Sequence, residues 1–434
     1  MTTPPQMTWR NWTGDEACES RRIERPRSAD ELSEVVAAAS ATGQGPIRAV
    51  GAGHSFGDIV CTDGVLISLD NLFGLLRYDE VTGYATVAAG TRLFQLNSLL
   101  DEVGRAMANL GDINVQSVAG AISTATHGTG ARLGNLATQV VALDIVTADG
   151  SVRTVNAGDD LMASRVSLGA LGIISAVTLR TVPEFRLHGV DERRPLEETL
   201  LRLDEFTDVN EHFEFWAFPH TDHALCRTNN RTDEPARVRG RVAAYVNDTV
   251  LENRVLDLVS TAGRRFPRQI PRLNRLVTRA FSETDRVDIG HQIFSSVRDV
   301  RFTESEWAVP ADAAPSMVRE IFDVIDKRGF DVNFPLEVRF VARDEDSFLS
   351  PSWGRDTSYI AAHMYRGMEW EPFLRAVQDV ALAHAGRPHW GKRHFLAADE
   401  LASKYPEWDR FQDVRSEFDP DRVFTNDHVS RVLG

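Results

Sequence analysis

The sequence lacks any apolar stretch of about 18 residues, the length that a helix needs to cross a bilayer. It also lacks the apolar core of a signal peptide, because the start from Met1 to Trp12 is polar and contains prolines. These two absences predict a cytoplasmic protein without a transmembrane segment. Attachment to a membrane surface stays open as an alternative.

Cysteine is scarce. Cys18, Cys61 and Cys226 are odd in number and widely spaced, and none of them belongs to a CxxC pair. This pattern predicts neither a disulfide framework nor a zinc site, and we expect no bound metal. The three thiols are expected to be reduced, as is usual inside cells.

Positive charge is in deficit. The 434 residues include 48 Lys and Arg against 63 Asp and Glu, which gives a net charge of −15. An acidic surface repels phosphate backbones, so nucleic acid is not an expected partner. The length and the 42% hydrophobic content instead predict two or three domains with their own cores.

Glycine-rich loops are the first positive feature. A predicted helix over 28–43 and a strand over 46–50 lead into a loop that contains Gly51, Gly53, Ser55 and Gly57. Such a loop can point backbone N–H groups at phosphates. A GxGxxG fingerprint is absent, since Phe56 stands where the third glycine belongs and strands follow instead of a helix. Taken alone, the loop is as compatible with an ordinary surface turn as with a phosphate site.

Two further small-residue segments occur at 117–130 and 168–174. Three such loops in one region could close around a long dinucleotide, because residues without bulky side chains allow close backbone approach. The alternative is three tight turns in an α+β core. Alternating apolar patterns between and around the loops predict further elements, namely strands over 65–69, 84–87, 140–147 and 173–182, and a helix over 93–103.

The pattern changes after residue 183. Longer amphipathic helices are predicted over 196–208, 314–327 and 372–385, and strands over 213–218, 337–342 and 359–364. The Arg- and Pro-containing stretch 263–273 is predicted to be a loop or hinge. Glu337 and Arg339 lie two apart on a predicted strand and so face the same way. Two opposite charges in this arrangement are ordinarily an exposed ion pair. Here the flanking Leu336, Val338 and Phe340 are too apolar for a surface that is open to solvent.

Several motifs together resemble one enzyme family. The run Val50-Gly51-Ala52-Gly53-His54-Ser55-Phe56-Gly57-Asp58-Ile59 and the following Cys61-Thr62-Asp63-Gly64 are similar to the flavin-linking segment of the sugar-acid lactone oxidases and dehydrogenases of the vanillyl-alcohol oxidase superfamily. The resemblance continues in Trp9-Arg10-Asn11-Trp12, Arg387-Pro388-His389-Trp390-Gly391-Lys392, Tyr405-Pro406-Glu407-Trp408 and Asp419-Pro420-Asp421-Arg422-Val423-Phe424-Thr425-Asn426. It runs nearly end to end, and the pattern is most similar to the L-gulono-1,4-lactone dehydrogenase branch of actinobacteria.

The resemblance implies an α+β fold of the two-domain vanillyl-alcohol-oxidase type. An FAD-binding domain would occupy residues 1–182, with the C-terminal tail 386–434 packed back onto it. A cap domain over 183–385 would cover the flavin ring and form the substrate pocket.

The resemblance also implies that FAD is covalently bound through a nitrogen of His54. No cysteine lies in the segment 117–130, so a single link is expected. The other residues expected to bind FAD are Val50, Gly51, Ala52, Gly53, Ser55, Phe56, Ser117, Gly120, Ala121, Thr124, His127, Gly128, Thr129, Gly172 and Ile174. His127 could also be read as a catalytic base, although its place in a glycine loop favours a role in holding the cofactor.

The implied catalytic residues are Glu337, Arg339, Lys392 and His363. They would oxidise the C2 hydroxyl of an aldono-1,4-lactone of the L-gulono type by hydride transfer to flavin N5, which gives an ascorbate-type product. Either a neutral lysine or water would take the hydroxyl proton. The alternatives are an alditol oxidase that acts on xylitol or sorbitol with O₂, and a flavoprotein that binds carbohydrate without turnover.

The electron acceptor is left open by the sequence. It could be O₂, or a redox protein or quinone. In relatives, a glycine at a gate beside the flavin goes with oxygen reactivity and an alanine with its absence. Gly120 and Ala121 are adjacent in this chain, and the sequence does not show which of them occupies the gate.

Overall fold

The computed structural model describes residues 7–237, 252–281, 283–295 and 300–434. Within these ranges the chain forms twenty strands in five sheets and fourteen α-helices, so the α+β prediction is confirmed. The strands are β1 (Met7–Arg10), β2 (Ala17–Ser20), β3 (Arg22–Glu24), β4 (Ile47–Val50), β5 (Val65–Ser68), β6 (Leu75–Asp79), β7 (Tyr84–Ala88), β8 (Arg105–Ala106), β9 (Val140–Val146), β10 (Val152–Val155), β11 (Ile173–Arg180), β12 (Val182–Pro183), β13 (Arg186–Pro195), β14 (His212–Ala217), β15 (His223–Thr232), β16 (Thr284–Ile289), β17 (Phe302–Pro310), β18 (Leu336–Val341), β19 (Thr357–Tyr365) and β20 (Arg387–Pro388).

Helices connect and cover these strands. The α-helices are Ala29–Ala41, Leu93–Asp101, Val118–Ser123, Gly158–Arg165, Leu196–Leu201, Leu203–Val209, Glu252–Arg265, Ile270–Ala280, Gly290–Phe294, Ala314–Arg328, Glu371–Ala383, Ala398–Ala402, Trp408–Phe418 and Asp427–Leu433. Short 3₁₀ turns occupy Leu136–Gln139, Pro267–Gln269 and Ala311–Ala313. No helix among the described residues is both long enough and apolar enough to cross a membrane.

The first 180 residues build two main sheets. A parallel sheet has the order β3-β5-β4, and a five-stranded antiparallel sheet has the order β10-β9-β11-β7-β6. The helix Ala29–Ala41 precedes β4, and its N-terminus is capped by the Ser28 hydroxyl, which accepts from the Glu31 N–H at 3.1 Å. The three small-residue segments lie at the end of β4, around the helix Val118–Ser123 and at the start of β11.

The largest sheet is antiparallel and has the order β16-β13-β15-β14-β18-β19-β17-β20. In β18 the buried Leu336, Val338 and Phe340 alternate with Glu337 and Arg339. The apolar face packs on the helices Ala314–Arg328 and Glu371–Ala383, which contribute buried side chains such as Met317, Ile321, Phe373 and Val377 to the core. The opposite face of β18 carries Glu337 and Arg339.

Most predicted elements are present within two or three residues of their expected bounds. The helix predicted over 196–208 is divided at Arg202, which ends Leu196–Leu201 and precedes Leu203–Val209. The loop predicted over 263–273 is wrong, because Glu252–Arg265 and Ile270–Ala280 are helical up to a short turn. Pro267 and Pro271 stand in the first turn of their helical segments, where proline is tolerated because its missing N–H would have no partner there.

The C-terminal residues contact the N-terminal sheets directly. The Ile47 N–H donates to the Val423 carbonyl at 2.9 Å, and the Asn426 amide donates to the carbonyls of Ile59 and Cys61 at 3.1 and 2.7 Å. The Phe56 N–H donates to the Gly391 carbonyl at 2.9 Å. These bonds tie the glycine loop after β4 to the end of the chain. The domain bounds at 182 and 385 stay a prediction.

Candidate active site

The three small-residue loops border one cleft, which we call the loop cleft. It is open to solvent, and its empty space, counted together with part of the adjoining solvent, is about 870 Å³. Its lining consists of Trp9, Arg48, Ala49, Val50, Gly51, Ala52, Gly53, His54, Ser55, Gly57, Ile59, Val60, Leu69, Gln116, Ser117, Ala119, Gly120, Ser123, Thr124, Leu168, Gly169, Gly172 and Ile174. The tertiary structure thus brings together segments that lie more than 100 residues apart.

Close approach of the loops explains the glycines. A Cβ atom on Gly51 would overlap the Ser117 hydroxyl oxygen, so any larger residue would push the first and second loops apart. Gly172 has φ +144°, and a Cβ there would lie 2.6 Å from both Ile145 Cγ2 and the Val146 carbonyl oxygen. Glycine is the residue that accepts such a backbone without strain.

His54 lies half-buried on the wall of the loop cleft. Its ring stacks on Trp12 with 5.2 Å between centroids and 2° between planes, and its Nδ1 lies 3.0 Å from the Ala52 carbonyl oxygen. Burial lowers the pKa of His54 below its ordinary value. The ring is therefore neutral near pH 7 and held in one orientation.

Eleven of the sixteen residues predicted to bind FAD line the loop cleft, and five do not. The five are Phe56, Ala121, His127, Gly128 and Thr129. Of the two gate candidates, Gly120 is exposed and lines the cleft, while Ala121 is fully buried behind it.

The segment 127–130 instead joins the loop cleft to the large sheet. The Gly130 N–H donates to the Phe340 carbonyl at 2.7 Å, and the Phe340 N–H donates to the Thr129 hydroxyl at 3.2 Å. The Thr129 hydroxyl in turn donates to the Phe213 carbonyl. This glycine-rich stretch therefore holds the sheet against the loops.

Six charged or ionisable side chains share one face of the large sheet, and we call them the charged face. They are Glu214 on β14, Glu337 and Arg339 on β18, His363 on β19, and Glu304 and Glu306 on β17. Glu214 lies opposite Arg339, and Glu304 lies opposite His363. Ala361 lies opposite both Glu337 and Glu306, which places those two on the same face. Directly opposed residues and residues two apart share a face of a sheet.

Arg339 is surrounded by three carboxylates. Its guanidinium lies 2.6 Å from Glu337, 2.8 Å from Glu214 and 2.9 Å from Asp112. Burial opposes the charged form, but the carboxylates of Asp112, Glu337 and Glu214 outweigh it and raise the pKa of Arg339 above its ordinary value. Burial, together with the charge of Asp112, raises the pKa of Glu214 to about 7. Arg339 is thus a fixed cation with a defined orientation.

Lys392 belongs to a second ion cluster. Its Nζ donates to Glu304 at 2.6 Å and lies 3.8 Å from Glu306. Burial lowers the pKa of Lys392, but the two carboxylates outweigh it and hold the pKa above its ordinary value. The same ion pair keeps the pKa of Glu304 at about 2 despite its burial. Lys392 is therefore protonated at neutral pH.

His363 lies between the two clusters. Its Nε2 is 3.6 Å from Glu304 and 3.9 Å from Glu337, and its Nδ1 is 3.0 Å from the Pro335 carbonyl oxygen. Burial lowers the pKa of His363, but Glu304 and Glu337 raise it to a value above the ordinary one. The four side chains predicted to be catalytic are thus brought together by the structure.

Glu306 ties the charged face to the second loop. It accepts from His127 at 3.1 Å, and both side chains are almost completely buried. Two groups of described residues have metal-ligand atoms within 4.8 Å of one another, namely His127, Glu306 and His389, and Asp112, Glu214 and Glu337. The first group is already joined by the His127–Glu306 pair, and the Arg339 guanidinium contacts all three members of the second. We assign a metal to neither.

Lys392 and Phe56 connect the charged face with the loop cleft. Lys392 Nζ lies 4.9 Å from the centre of the Phe56 ring, and Phe56 follows His54 by two residues. A Cβ on Gly391 would lie 3.4 Å from the hydroxyl of Thr124, which lines the cleft. Lys392, which pairs with Glu304 of the charged face, therefore lies next to the loop that carries His54.

Sequence reasoning missed Glu304, Glu306, Glu214 and Asp112. Glu304 and Glu306 were detectable in part, since they alternate with Thr303, Ser305 and Trp307 in the same i, i+2 manner as Glu337 and Arg339. Their partners could not be found in this way. Glu304 and Lys392 are 88 residues apart, and Arg339 and Glu214 are 125 apart.

Comparison with known proteins decides the family. Residues 177–432 match the family described as D-arabinono-1,4-lactone oxidase, which is more than half of the chain, and residues 21–156 match an FAD binding domain. The chain belongs to the D-arabinono-1,4-lactone oxidase family. It is 49% identical to L-gulono-1,4-lactone dehydrogenase from Mycobacterium tuberculosis over 98% of this chain and 99% of that protein. It is 32% identical to L-gulonolactone oxidase from Scyliorhinus torazame over 98% and 97%.

Members of the family share this architecture with more distant flavoproteins. Cholesterol oxidase from B. sterolicum superposes with a TM-score of 0.83 at 18% identity, over 99% of this chain and 97% of that one. This likeness concerns the fold, which is of the vanillyl-alcohol-oxidase type as predicted.

The loop cleft fits the FAD that the family binds. No carboxylate lines it, and its one charged lining side chain is Arg48. The Arg48 guanidinium donates to the carbonyls of Leu168, Gly169 and Phe424 at 2.6, 3.0 and 2.7 Å, which fixes the third loop to the C-terminal segment. Small residues and free backbone groups suit a pyrophosphate and a flat ring.

Proposed function

We propose that this protein oxidises the C2 hydroxyl of an aldono-1,4-lactone of the L-gulono type to an ascorbate-type product, with FAD in the loop cleft. The observation that carries the proposal is that Glu337, Arg339 and His363 share the charged face, while Lys392 joins Glu304 of that face to the loop that carries His54. Bound FAD supplies a hydride acceptor at flavin N5. The curated relatives named above are lactone dehydrogenases and oxidases, so they do not favour the alditol oxidase alternative.

The side chains would divide the work by charge. Oxidation removes a hydride from C2 and a proton from its hydroxyl, so negative charge develops on that oxygen. Arg339 and Lys392 are both cationic and would stabilise it. Glu337 accepts hydrogen bonds from substrate hydroxyls and orients Arg339, with which it is in contact. Because the pKa of Lys392 is raised, we favour water over a neutral lysine as the proton acceptor.

Anaerobic flavin reduction tests this reaction. L-gulono-1,4-lactone should bleach the flavin absorbance, and xylitol and sorbitol should not. Reduction by xylitol but not by any lactone would establish the alditol oxidase instead. If no sugar or lactone reduces the flavin, the protein binds carbohydrate without turnover. Reoxidation of the reduced enzyme by O₂ and by an artificial acceptor then distinguishes an oxidase from an enzyme that passes electrons to a redox protein or quinone.

We further propose that a nitrogen of His54 forms a covalent bond with the flavin 8α-carbon. Support comes from its neutral ring, its fixed stacking on Trp12 and its position on the cleft wall. The denatured protein should keep flavin fluorescence on a gel, and His54→Ala should lose it. Loss of the fluorescence from the unmodified protein under the same denaturation would show that FAD is held without a covalent bond.

A further inference from the structure

A strongly basic helical pair stands out on this acidic protein. Residues 252–280 contain the helices Glu252–Arg265 and Ile270–Ala280 with the turn Pro267–Gln269 between them. They carry seven arginines and two carboxylates, whereas the whole chain has an excess of 15 negative charges. We call the seven the arginine surface, which comprises Arg254, Arg264, Arg265, Arg268, Arg272, Arg275 and Arg279.

The arginine surface is exposed to solvent among the residues that the structure describes. All seven side chains are exposed, and none forms an ion pair with a residue in the part of the chain that the structure describes. Their hydrogen bonds go to neutral groups, such as Arg264 to the Arg366 carbonyl at 3.2 Å and Arg272 to Gln269 at 3.2 Å. Elsewhere on the surface, exposed arginines such as Arg319 and Arg410 are paired with carboxylates.

Exposed apolar side chains are interleaved with these arginines. Leu258 is 69% exposed, and Phe266 and Leu276 are each 60% exposed. In the second helix, Ile270, Asn274 and Thr278 are buried at four-residue spacing, and the outward positions are Arg272, Arg275, Leu276 and Arg279. Guanidinium groups next to exposed Leu and Phe on an amphipathic helix are typical of segments that lie in a bilayer interface.

The helical pair is anchored to the body of the protein on its inner side. The Tyr365 hydroxyl donates to Asp257 at 2.7 Å, and Asn333 donates to the Ser260 carbonyl at 3.1 Å. Tyr365 stacks on Phe334, whose ring centroid lies 6.2 Å from that of His363. The arginine surface therefore sits on a supported element that borders the candidate active site.

We propose that the arginine surface, together with Leu258, Phe266 and Leu276, docks this protein peripherally on a bilayer that contains anionic phospholipid. The guanidinium groups would contact lipid phosphates, and the apolar side chains would enter the headgroup region. Charge complementarity selects an anionic partner, and the interleaved Leu and Phe select lipid over an acidic protein. The proposal is independent of the proposed reaction, because it concerns residues outside the charged face and the loop cleft.

Vesicle co-sedimentation of the flavin-loaded protein tests the proposal. Vesicles of phosphatidylcholine with phosphatidylglycerol should bind the protein, vesicles of phosphatidylcholine alone should not, and added salt should weaken binding. The triple variant Arg272→Glu, Arg275→Glu, Arg279→Glu should lower the vesicle partition coefficient by at least about 100-fold, at roughly 1 kcal/mol per basic residue. The variant Phe266→Ser, Leu276→Ser should lower it by about 10-fold.

A matched control carries the same charge change elsewhere. Arg25, Arg27 and Arg77 are exposed and form no side-chain ion pair with a described residue. Their replacement by Glu should leave vesicle binding within about twofold. An equal loss in this control would overturn the proposal, as would equal binding to both vesicle types or no binding to either. The last result would point to an acidic protein as the partner. Flavin absorbance and lactone-driven bleaching report that each variant is folded, and Gln replaces Glu where it is not.

Discussion

The loop cleft and the charged face are built from opposite kinds of residue. The cleft obtains its shape from backbone and small side chains, and its single charged lining residue is Arg48. On the charged face, by contrast, Glu214, Glu304 and Glu306 are buried and lie close to Arg339 and other ionisable groups. The first region suits a long cofactor that needs close backbone approach, and the second suits a small polar substrate whose charge changes during reaction.

Different kinds of substitution should therefore impair the two regions. Added volume harms the loop cleft because its loops are already in contact. Removal of one charge harms the charged face because the partner charge is left buried without compensation. The following predictions use this contrast, from the largest expected effect to the smallest.

Arg339→Met should have the largest effect. It removes the cation that we propose stabilises the developing alkoxide, and it leaves the carboxylates of Glu337, Glu214 and Asp112 without their guanidinium partner. We expect kcat/KM with L-gulono-1,4-lactone to fall by at least about 10³-fold. Anaerobic stopped-flow reduction of the flavin measures this directly.

Arg339→Lys serves as the control for charge alone. It keeps one positive charge but loses the planar fork that contacts three carboxylates, so we expect an intermediate rate. FAD content should be unchanged in both variants. If the kcat/KM of Arg339→Met stays within about threefold of that of the unmodified protein, the guanidinium does not contribute to catalysis.

Glu304→Gln should act through Lys392. Without the carboxylate 2.6 Å away, the effect of burial would increase relative to that of the remaining charges, and the pKa of Lys392 would fall. The basic limb of the kcat/KM profile should move to lower pH, with a loss of about 100-fold at the optimum. A purely structural role for Glu304 would lower activity without moving this limb. Glu304→Asp, which keeps the charge, should restore most of the original profile.

Gly51→Ala should weaken FAD binding by about 10- to 100-fold, because its new methyl group would overlap the Ser117 hydroxyl. Gly57→Ala lies in the same loop and provides a matched control. Its Cβ would be 3.6 Å from His428 Cε1, an ordinary contact, so FAD binding should be nearly unchanged. The measurement is FAD content and the affinity of the apoprotein for FAD. Equal behaviour of the two variants would contradict the close approach of the first and second loops.

Lowering the pH should destabilise the fold. Burial lowers the pKa of His389 to about 3 and also lowers the pKa values of His394 and His428. An unfolded histidine titrates near 6.5, so the unfolded state binds more protons below that pH and stability is lost as the pH falls. His363 acts in the opposite direction, because its pKa is raised.

Between pH 6.5 and 5, His389 alone should cost about 2 kcal/mol of the free energy of unfolding. Urea denaturation at several pH values measures the slope. His389→Asn should reduce that slope by close to one proton. An unchanged slope would show that His389 does not titrate differently in the folded and unfolded states.

Local sequence determined the elements and part of the site. Ser28 and Glu31 mark a helix start, and the alternation from Leu336 to Phe340 fixes which side chains of β18 share a face, because side-chain direction on a strand depends only on residue parity. The resemblance carried by the motif around His54 indicated the family. The prediction of a loop over 263–273 was wrong because a proline in the first turn of a helix cannot be distinguished, from sequence alone, from a proline that ends one.

Tertiary structure alone decided which charges meet. Sheet order places β14 next to β18 and so pairs Arg339 with Glu214. It also places β20 next to β17, and the segment that follows β20 brings Lys392 to Glu304. The same packing set the pKa values, since burial and neighbouring charges have no signature in local sequence. The sequence thus specified the types of group this protein uses. Their partners, and with them the raised pKa values of Lys392 and His363, arose from tertiary packing.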